Sequence, residues 1–374
     1  MIKKIIEFLV GKIPLSSNIL AFNSFPDYTD NAYAMFLYLH REYGDKFKYV
    51  WLINDEEAIA SISDKENDLP NVKIKKKKSL IGFWYFFRAK HVFYTHGIFE
   101  SILVRQSDDK MINLWHGMPL KRIGLMDGKP KGYMHNLQYT IATSEMFRKI
   151  MADSFGIDEQ KVLITGQPRC DLFDASTDFF ENSGIDKAKY SSIGIWLPTY
   201  RKSLVSTEVR EDGDFKDGKI SFLDAEGLGI LNEVLCKQGN LLLIKLHPMD
   251  VLQNFDFINF SNIKIIKQKD FHSQLYPLLG KCDYLITDFS SVWVDFELTG
   301  KPMAFVFDDF EKYSSNRGFT INNLSNMLPG EIINNMDGLI EFINNPRCIK
   351  KHIEFNKHRD CNASKRIANF LGIK

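Results

Sequence analysis

Two histidines, one in each half of the chain, follow short apolar runs and stand beside a glycine or a proline: Trp115-His116-Gly117 after Met111–Leu114, and His247-Pro248 after Leu241–Leu246. An imidazole titrates near neutrality, so either can take a proton from a hydroxyl or donate a hydrogen bond to a developing anion. Other apolar runs end the same way: VLIT in Gly166-Gln167-Pro168-Arg169, SIGIWL in Pro198-Thr199-Tyr200-Arg201, and DYLIT in Asp288-Phe289-Ser290-Ser291. In open α/β sheets ligands bind beyond the carboxyl ends of strands, where these residues fall. Ser290 and Ser291 stand where a helix spanning Val292–Thr299 would begin, with Gly300 to end it. Free N–H groups and two hydroxyls there suit a phosphate; the simpler reading is that the serines only cap the helix. A single strand-end histidine is more simply a structural hydrogen-bonder. Two of them, joined by Arg201, Asp288 and two serines, point to a shared site. The triplet Asp212-Gly213-Asp214 follows no strand and reads as solvated charge, so no metal is expected.

The elements that must position these residues are short apolar strands alternating with helices. A first series comprises 18–22, 48–53, 91–95, 111–114, 139–143 and 162–165, with an amphipathic helix after the first strand that ends at Gly44. A second comprises 192–198, 240–248, 262–266, 283–287 and 303–307. Runs this short and β-branched, separated by helices, indicate parallel strands buried on both faces. The polar stretch 174–192 lies between the series and reads as a linker, and 206–219 reads as a charged loop. Two successive βα arrays predict two doubly wound, Rossmann-like α/β domains facing a cleft, 1–175 and 190–374, with the last helix available to pack back on the first domain.

At 374 residues the chain exceeds one ordinary core and suits two. A net charge of +1 gives no global attraction for nucleic acid, so none is expected as a partner. The five cysteines are scattered and never form a CxxC pair, which argues for a reducing compartment and against a zinc site. No run of about 18 apolar residues occurs to span a membrane. The N-terminal MIKKIIEFLVGKIPL aligns Ile2, Ile5, Ile6, Leu9 and Val10 on one helical face, for packing on its own domain or on a membrane surface. In KIKKKKSLIGFWYFFRAK, residues 73–90, lysines precede a helix-length segment bearing Phe83 to Phe87. It reads as a solvated loop before a buried helix, or as cations on anionic headgroups with aromatics at the interface.

WHGMPLKRIG, GQPRCD, PTYR, KLHP and TDFSSVWVDFELTGKP, with YTDNAYAMFLYL and KYVWLIND upstream, occur in the order of the signature blocks of the CDP-glycerol glycerophosphotransferase family. The ordered set resembles that family over roughly residues 20–310. The resemblance implies a GT-B-like fold, with acceptor bound by the N-terminal domain and a CDP-alcohol donor by the C-terminal one. It implies a catalytic base at His116 and a donor-side histidine at His247, with Thr199, Arg201, Asp288, Ser290 and Ser291 binding donor and phosphate. It places Lys121 and Arg122 on the acceptor side and calls for no cofactor. The implied partners are CDP-glycerol, a lipid-linked acceptor and an anionic membrane surface, with the protein peripheral on the cytoplasmic face. Phe289 stands where the family often has tyrosine, and the long N-terminal region of the larger polymerases is absent, which favours primase-like or single addition. A GT-B glycosyltransferase using a nucleotide sugar, or a silent nucleotide-binding scaffold of an envelope-synthesis complex, would share the same pattern.

Overall fold

The computed structural model describes residues 12–66, 69–99, 110–134, 137–205, 208–211, 213 and 218–374. The N-terminal helix expected before residue 12, and Asp212 and Asp214 of the acidic triplet, lie outside the described residues. The chain divides into two compact units, one of Met1–Met118, Ile123–Leu172 and Phe355–Lys374, the other of Pro119–Arg122 and Phe173–Glu354.

Unit 1 is built on seven parallel strands: β1 (Ser16–Asn23), β2 (Lys48–Ile53), β3 (Val72–Lys76), β4 (Ala89–Tyr94), β5 (Lys110–Asn113), β6 (Tyr139–Ala142) and β7 (Val162–Ile164), in the order β3-β2-β1-β4-β5-β6-β7. Tyr49 through Ile53 on β2 are all buried, as strands covered on both faces require. The helix Asp30–Tyr43 covers one face with Ala32, Met35, Phe36 and Leu39, spaced at one helical stripe, and ends at Gly44 with φ of 46°. The C-terminal helix Ala363–Leu371 adds Ile367, Ala368 and Leu371 to the same core as Leu20, Phe22, Trp51 and Ile112. Its first two N–H groups, Ala363 and Ser364, donate to the Asp171 carboxylate at 2.9 and 2.8 Å. Burial raises that carboxyl above its ordinary value, and the helix N–H groups oppose the rise.

The lysine-rich stretch differs from the solvated loop expected of it. Lys73, Lys75 and Lys76 lie on β3, the edge strand of the sheet, whose Val72 and Ile74 are only half-buried. Edge strands carry charge to resist pairing with another chain, and that charge hid the strand from a search for apolar runs. The following helix, Leu80–Arg88, is capped by Ser79, whose hydroxyl accepts from Gly82 N–H at 3.0 Å. It buries Phe86 and Phe87 in the core under β1 and leaves Leu80, Ile81 and Trp84 at 89%, 55% and 49% exposure.

Unit 2 contains β8 (Ser192–Leu197), an antiparallel hairpin of β9 (Lys202–Val205) and β10 (Glu208–Glu211), then β11 (Asn240–Lys245), β12 (Ile263–Ile266), β13 (Tyr284–Thr287), β14 (Met303–Val306) and β15 (Glu331–Ile333). Six of these form a parallel sheet in the order β12-β11-β8-β13-β14-β15. Part of the stretch read as a charged loop is therefore strand β10. At Gly194 on β8 a Cβ would meet the Tyr284 ring at 2.0 Å, so only glycine lets that ring lie across the neighbouring strand. Residues 174–192, read as a linker, pack with unit 2: Phe179 and Phe180 are buried, and Asp178 accepts from the Ser273 hydroxyl at 2.6 Å.

Candidate active site

In unit 1 the turn after β5 holds His116. Trp115 takes a left-handed φ of 48°, costly for a large side chain, and its N–H donates to Asn113 Oδ1 at 2.7 Å. Two further residues clamp the turn. The Asn31 amide donates to the carbonyls of Leu114 and Trp115 at 2.9 and 3.0 Å and to Gln167 Oε1 at 3.2 Å. Its own oxygen accepts from Arg169 N–H at 3.0 Å. The Arg169 guanidinium reaches the His116 carbonyl at 3.1 Å and the Asp30 carboxylate at 2.8 Å. The segments around Asn31, His116 and Arg169 thus meet at one point in unit 1.

His116 Nδ1 lies 3.2 Å from the Thr95 carbonyl. A carbonyl only accepts, so Nδ1 carries the proton and Nε2 keeps its lone pair. Burial pushes the imidazole below the ordinary histidine value; the Thr95 carbonyl and Asp30 pull it up, and Arg169 pushes it down. The residue is nonetheless exposed by surface area, so the ring is crowded by protein on most sides while one edge meets water. The crowding sets the direction of the shift, and contact with water limits it. A neutral imidazole with a free Nε2 lone pair is a competent general base at pH 7.

Unit 2 assembles the second set. Asp288, just past β13, accepts from Thr199 N–H at 3.1 and 3.0 Å and from its hydroxyl at 2.9 Å. Arg201 donates to Asp288 at 2.8 Å and grips Asp309 through Nε and Nη2 at 2.6 and 3.0 Å. Its guanidinium also lies over the Phe289 and Tyr313 rings, 5.1 and 5.3 Å from their centroids. Burial pushes the Arg201 guanidinium down and the two carboxylates raise it further, so it stays charged. Thr199, Arg201 and Asp288 are therefore brought together, with Asp309, two residues past the strand read as 303–307, and Tyr313 as further members.

His247 follows β11 and meets the Tyr200 ring edge-on at 4.9 Å. Its Nδ1 accepts from Met249 N–H at 3.2 Å, which leaves the proton on Nε2. Ser290 Oγ accepts from Val292 N–H at a long 3.4 Å, and Ser291, the residue before the helix Val292–Phe296, makes no side-chain cap. Lys121 and Arg122 belong to unit 2: Lys121 bridges Phe319 and stands 5.2 Å from the Tyr313 centroid, and Arg122 N–H donates to the Gly318 carbonyl at 3.2 Å. The family resemblance is what places them on the acceptor side. Among the described residues, no group of three or more His, Cys, Asp or Glu side chains is placed to hold a metal ion.

The residue overlooked in the sequence is His96. It ends β4 in Thr95-His96-Gly97, the same His-Gly step that ends β5, and its ring lies 4.1 Å from that of His116 at an interplanar angle of 9°. The repeated step on consecutive strands was the available signal.

Comparison with known proteins bears on the family and the fold. The chain is 28% identical over 292 residues to the teichoic acid glycerol-phosphate primase of Bacillus subtilis, covering 73% of this chain and 71% of that protein. It is 26% identical to the teichoic acid glycerol-phosphate transferase of Staphylococcus aureus, covering 91% and 88%. Its fold is similar to the solved wall teichoic acid polymerase TagF, with a TM-score of 0.76, 21% identity, and 99% and 92% of the two chains covered. The two α/β units are thus those of a GT-B-like protein. The family model for CDP-glycerol:poly(glycerophosphate) glycerophosphotransferase matches residues 5–372, nearly the whole chain, and the protein belongs to that family.

Proposed function

We propose that the protein transfers glycerol phosphate from CDP-glycerol to a hydroxyl of a lipid-linked acceptor and releases CMP, in the synthesis of teichoic acid or a related cell-surface polymer. The observation that carries the reading is the tautomer of His116: Nδ1–H spent on the Thr95 carbonyl, Nε2 left basic at a strand end. Family membership supplies the reaction type, and TagF was solved after a soak with CDPG.

The acceptor oxygen attacks the β-phosphorus, which carries the glycerol, and its proton passes to His116 Nε2. The bond from that phosphorus to the bridging oxygen breaks, and the electron pair leaves on CMP. Charge gathers on the transferring and leaving phosphates, so donors aimed at them accelerate the step. His247 Nε2–H is one such donor, fixed by the Met249 N–H on its other nitrogen. Ser290 and Ser291 offer hydroxyls that the helix start hardly uses. Arg201 spends its hydrogen bonds on Asp288, Asp309 and Thr199, so its contribution is to shape the donor side by holding those groups in place.

A lipid-linked acceptor requires the enzyme at the cytoplasmic leaflet. Leu80, Ile81 and Trp84, beside the lysines of β3, are the exposed apolar groups there, and no described helix is long and apolar enough to cross a membrane. The decisive experiment incubates the protein with radiolabelled CDP-glycerol and a lipid-linked acceptor. Labelled product together with stoichiometric CMP is expected; CMP without product, or neither, overturns the reading. Repeating it with CDP-ribitol identifies the donor alcohol.

A further inference from the structure

His96 stacks on the base but has no part in the chemistry described so far, and its hydrogen bonds fix what it can do. Thr95 is fully buried, and its hydroxyl oxygen accepts from Phe25 N–H at 3.3 Å. Among the described residues the hydroxyl hydrogen has one acceptor in reach, His96 Nδ1 at 3.0 Å, and a buried O–H pointed elsewhere would go unpaired. Nδ1 is therefore an acceptor, and the ring's proton sits on Nε2. Thr95 sets both rings at once: its carbonyl makes His116 a base at Nε2, and its hydroxyl makes His96 a donor at Nε2. The rings are parallel and both turn Nδ1 toward Thr95, so both Nε2 edges point away from it. Neither Nε2 has a protein partner among the described residues, and that of His96 is not a buried orphan, so it meets solvent.

The surroundings keep His96 in this form. Lys77 donates to Asn23 Oδ1 at 3.0 Å and to the Gly97 carbonyl at 3.5 Å, placing a cation beside the ring, and Phe25 meets it edge-on at 5.6 Å. The paired Asp30 and Arg169 also act on His116, the one raising and the other lowering its titration. Burial above all, with His116 and Lys77 adding to it, pushes His96 down to about 3. A second positive ring against a protonated His116 is thereby avoided.

A donor and a base on stacked rings fit two oxygens on neighbouring atoms. Resting on the proposal that His116 is the base, we propose that His96 is an acceptor-recognition residue: its Nε2–H donates to the oxygen on the carbon next to the attacking hydroxyl while His116 Nε2 takes that hydroxyl's proton. The site accordingly selects acceptors that end in a 1,2-diol.

The test uses the full chain, CDP-glycerol and two soluble acceptors, an alkyl phosphate ester of glycerol and the matching ester of 1,3-propanediol, which lacks the neighbouring hydroxyl. The parent should favour the diol in kcat/KM by about 10-fold, as one hydrogen bond to substrate gives. His96→Phe keeps a stacked ring and loses the donor. It should lower kcat/KM for the diol by a similar factor, bring the two acceptors level, and leave KM for CDP-glycerol unchanged. His96→Gln, whose amide N–H reaches toward the Nε2 position, should regain part of the preference. A parent without preference, or a His96→Phe variant that keeps it, overturns the inference. His116→Ala separates the two ideas: turnover in that variant defeats the base assignment whatever His96 does. A parent that transfers to neither acceptor defeats both.

Discussion

Asn31→Ala tests whether the turn that carries His116 is held by one buried amide. Asn31 is fully buried, and the substitution strips a donor from the Leu114 and Trp115 carbonyls and from Gln167 Oε1, and an acceptor from Arg169 N–H. Leu114, Gln167 and Arg169 are buried themselves, so water replaces little there. Each hydrogen bond lost at a buried group costs about 1–3 kcal/mol, so the three buried contacts together give about 3–5 kcal/mol after partial relaxation. Whole-domain stabilities are about 5–15 kcal/mol, which makes this a large fraction. At about 2–4 °C per kcal/mol the melting temperature should fall by about 6–20 °C, read by calorimetry. Turnover, measured well below that transition, should fall more than tenfold, since a base displaced by about 1 Å loses about a hundredfold. Asn31→Asp keeps the acceptor for Arg169 but turns a carboxylate on the carbonyls, and should be no more stable than the alanine variant. An alanine variant that melts within about 2 °C of the parent and turns over normally would refute the reasoning.

His116→Ala should lower kcat by about 10²–10⁴ and leave calorimetric affinity for CDP-glycerol intact. Because burial makes the folded imidazole titrate below the ordinary value, the acid limb of kcat/KM for the parent should fall below pH 6.5, and a midpoint above 7 would contradict the dominance of burial at His116. Arg201→Met leaves Asp288 and Asp309 buried without their cation and should destabilise unit 2 by about 3–5 kcal/mol in denaturant titrations. Burial lifts Asp250 to about 6, so the fold binds its proton more tightly than the unfolded chain does. That favours the fold at low pH and is lost as pH rises through about 6. Asp250→Asn should therefore stabilise the protein at pH 7 by about 1–3 kcal/mol, with the gain gone below pH 4, as pH-resolved melting would show. Trp84→Ser with Leu80→Ser should release the protein from anionic vesicles in a sedimentation assay while transfer to a soluble acceptor persists. Equal sedimentation would make that helix an ordinary surface.

The alternation of apolar strands and helices made both parallel sheets legible, because strands buried on both faces leave unbroken runs such as KYVWLI and NLLLIK. β3 was hidden because an edge strand carries charge where a central strand carries leucine. β15, Glu331–Ile333, is too short for a period to show. Strand-end polarity found His116, His247, Thr199, Arg201 and Asp288. It applies equally to Asp309, two residues past 303–307, which went unread, and it passes over Tyr313, whose place is set by tertiary packing around one guanidinium. Asn31 was hidden inside an amphipathic helix, where its one buried amide looks like any polar residue. His96 was legible but unread, since the Thr95-His96-Gly97 step has no cations after it to draw the eye.

The closing helix bears on how the protein is made. Ile367, Ala368, Leu371 and Ile373 complete a core begun by Leu20, Met35 and Phe36, and the Tyr43 hydroxyl donates to the Ile373 carbonyl at 3.0 Å. On the ribosome, all of unit 2 emerges before those residues do. The stripe of the helix Asp30–Tyr43 that they cover is bare for that whole interval, an adhesive surface on a nascent chain. Emergence of residues 363–373, rather than of the first domain's strands, is then the event that seals unit 1, and nascent chains stalled before those residues emerge should still be held by chaperones.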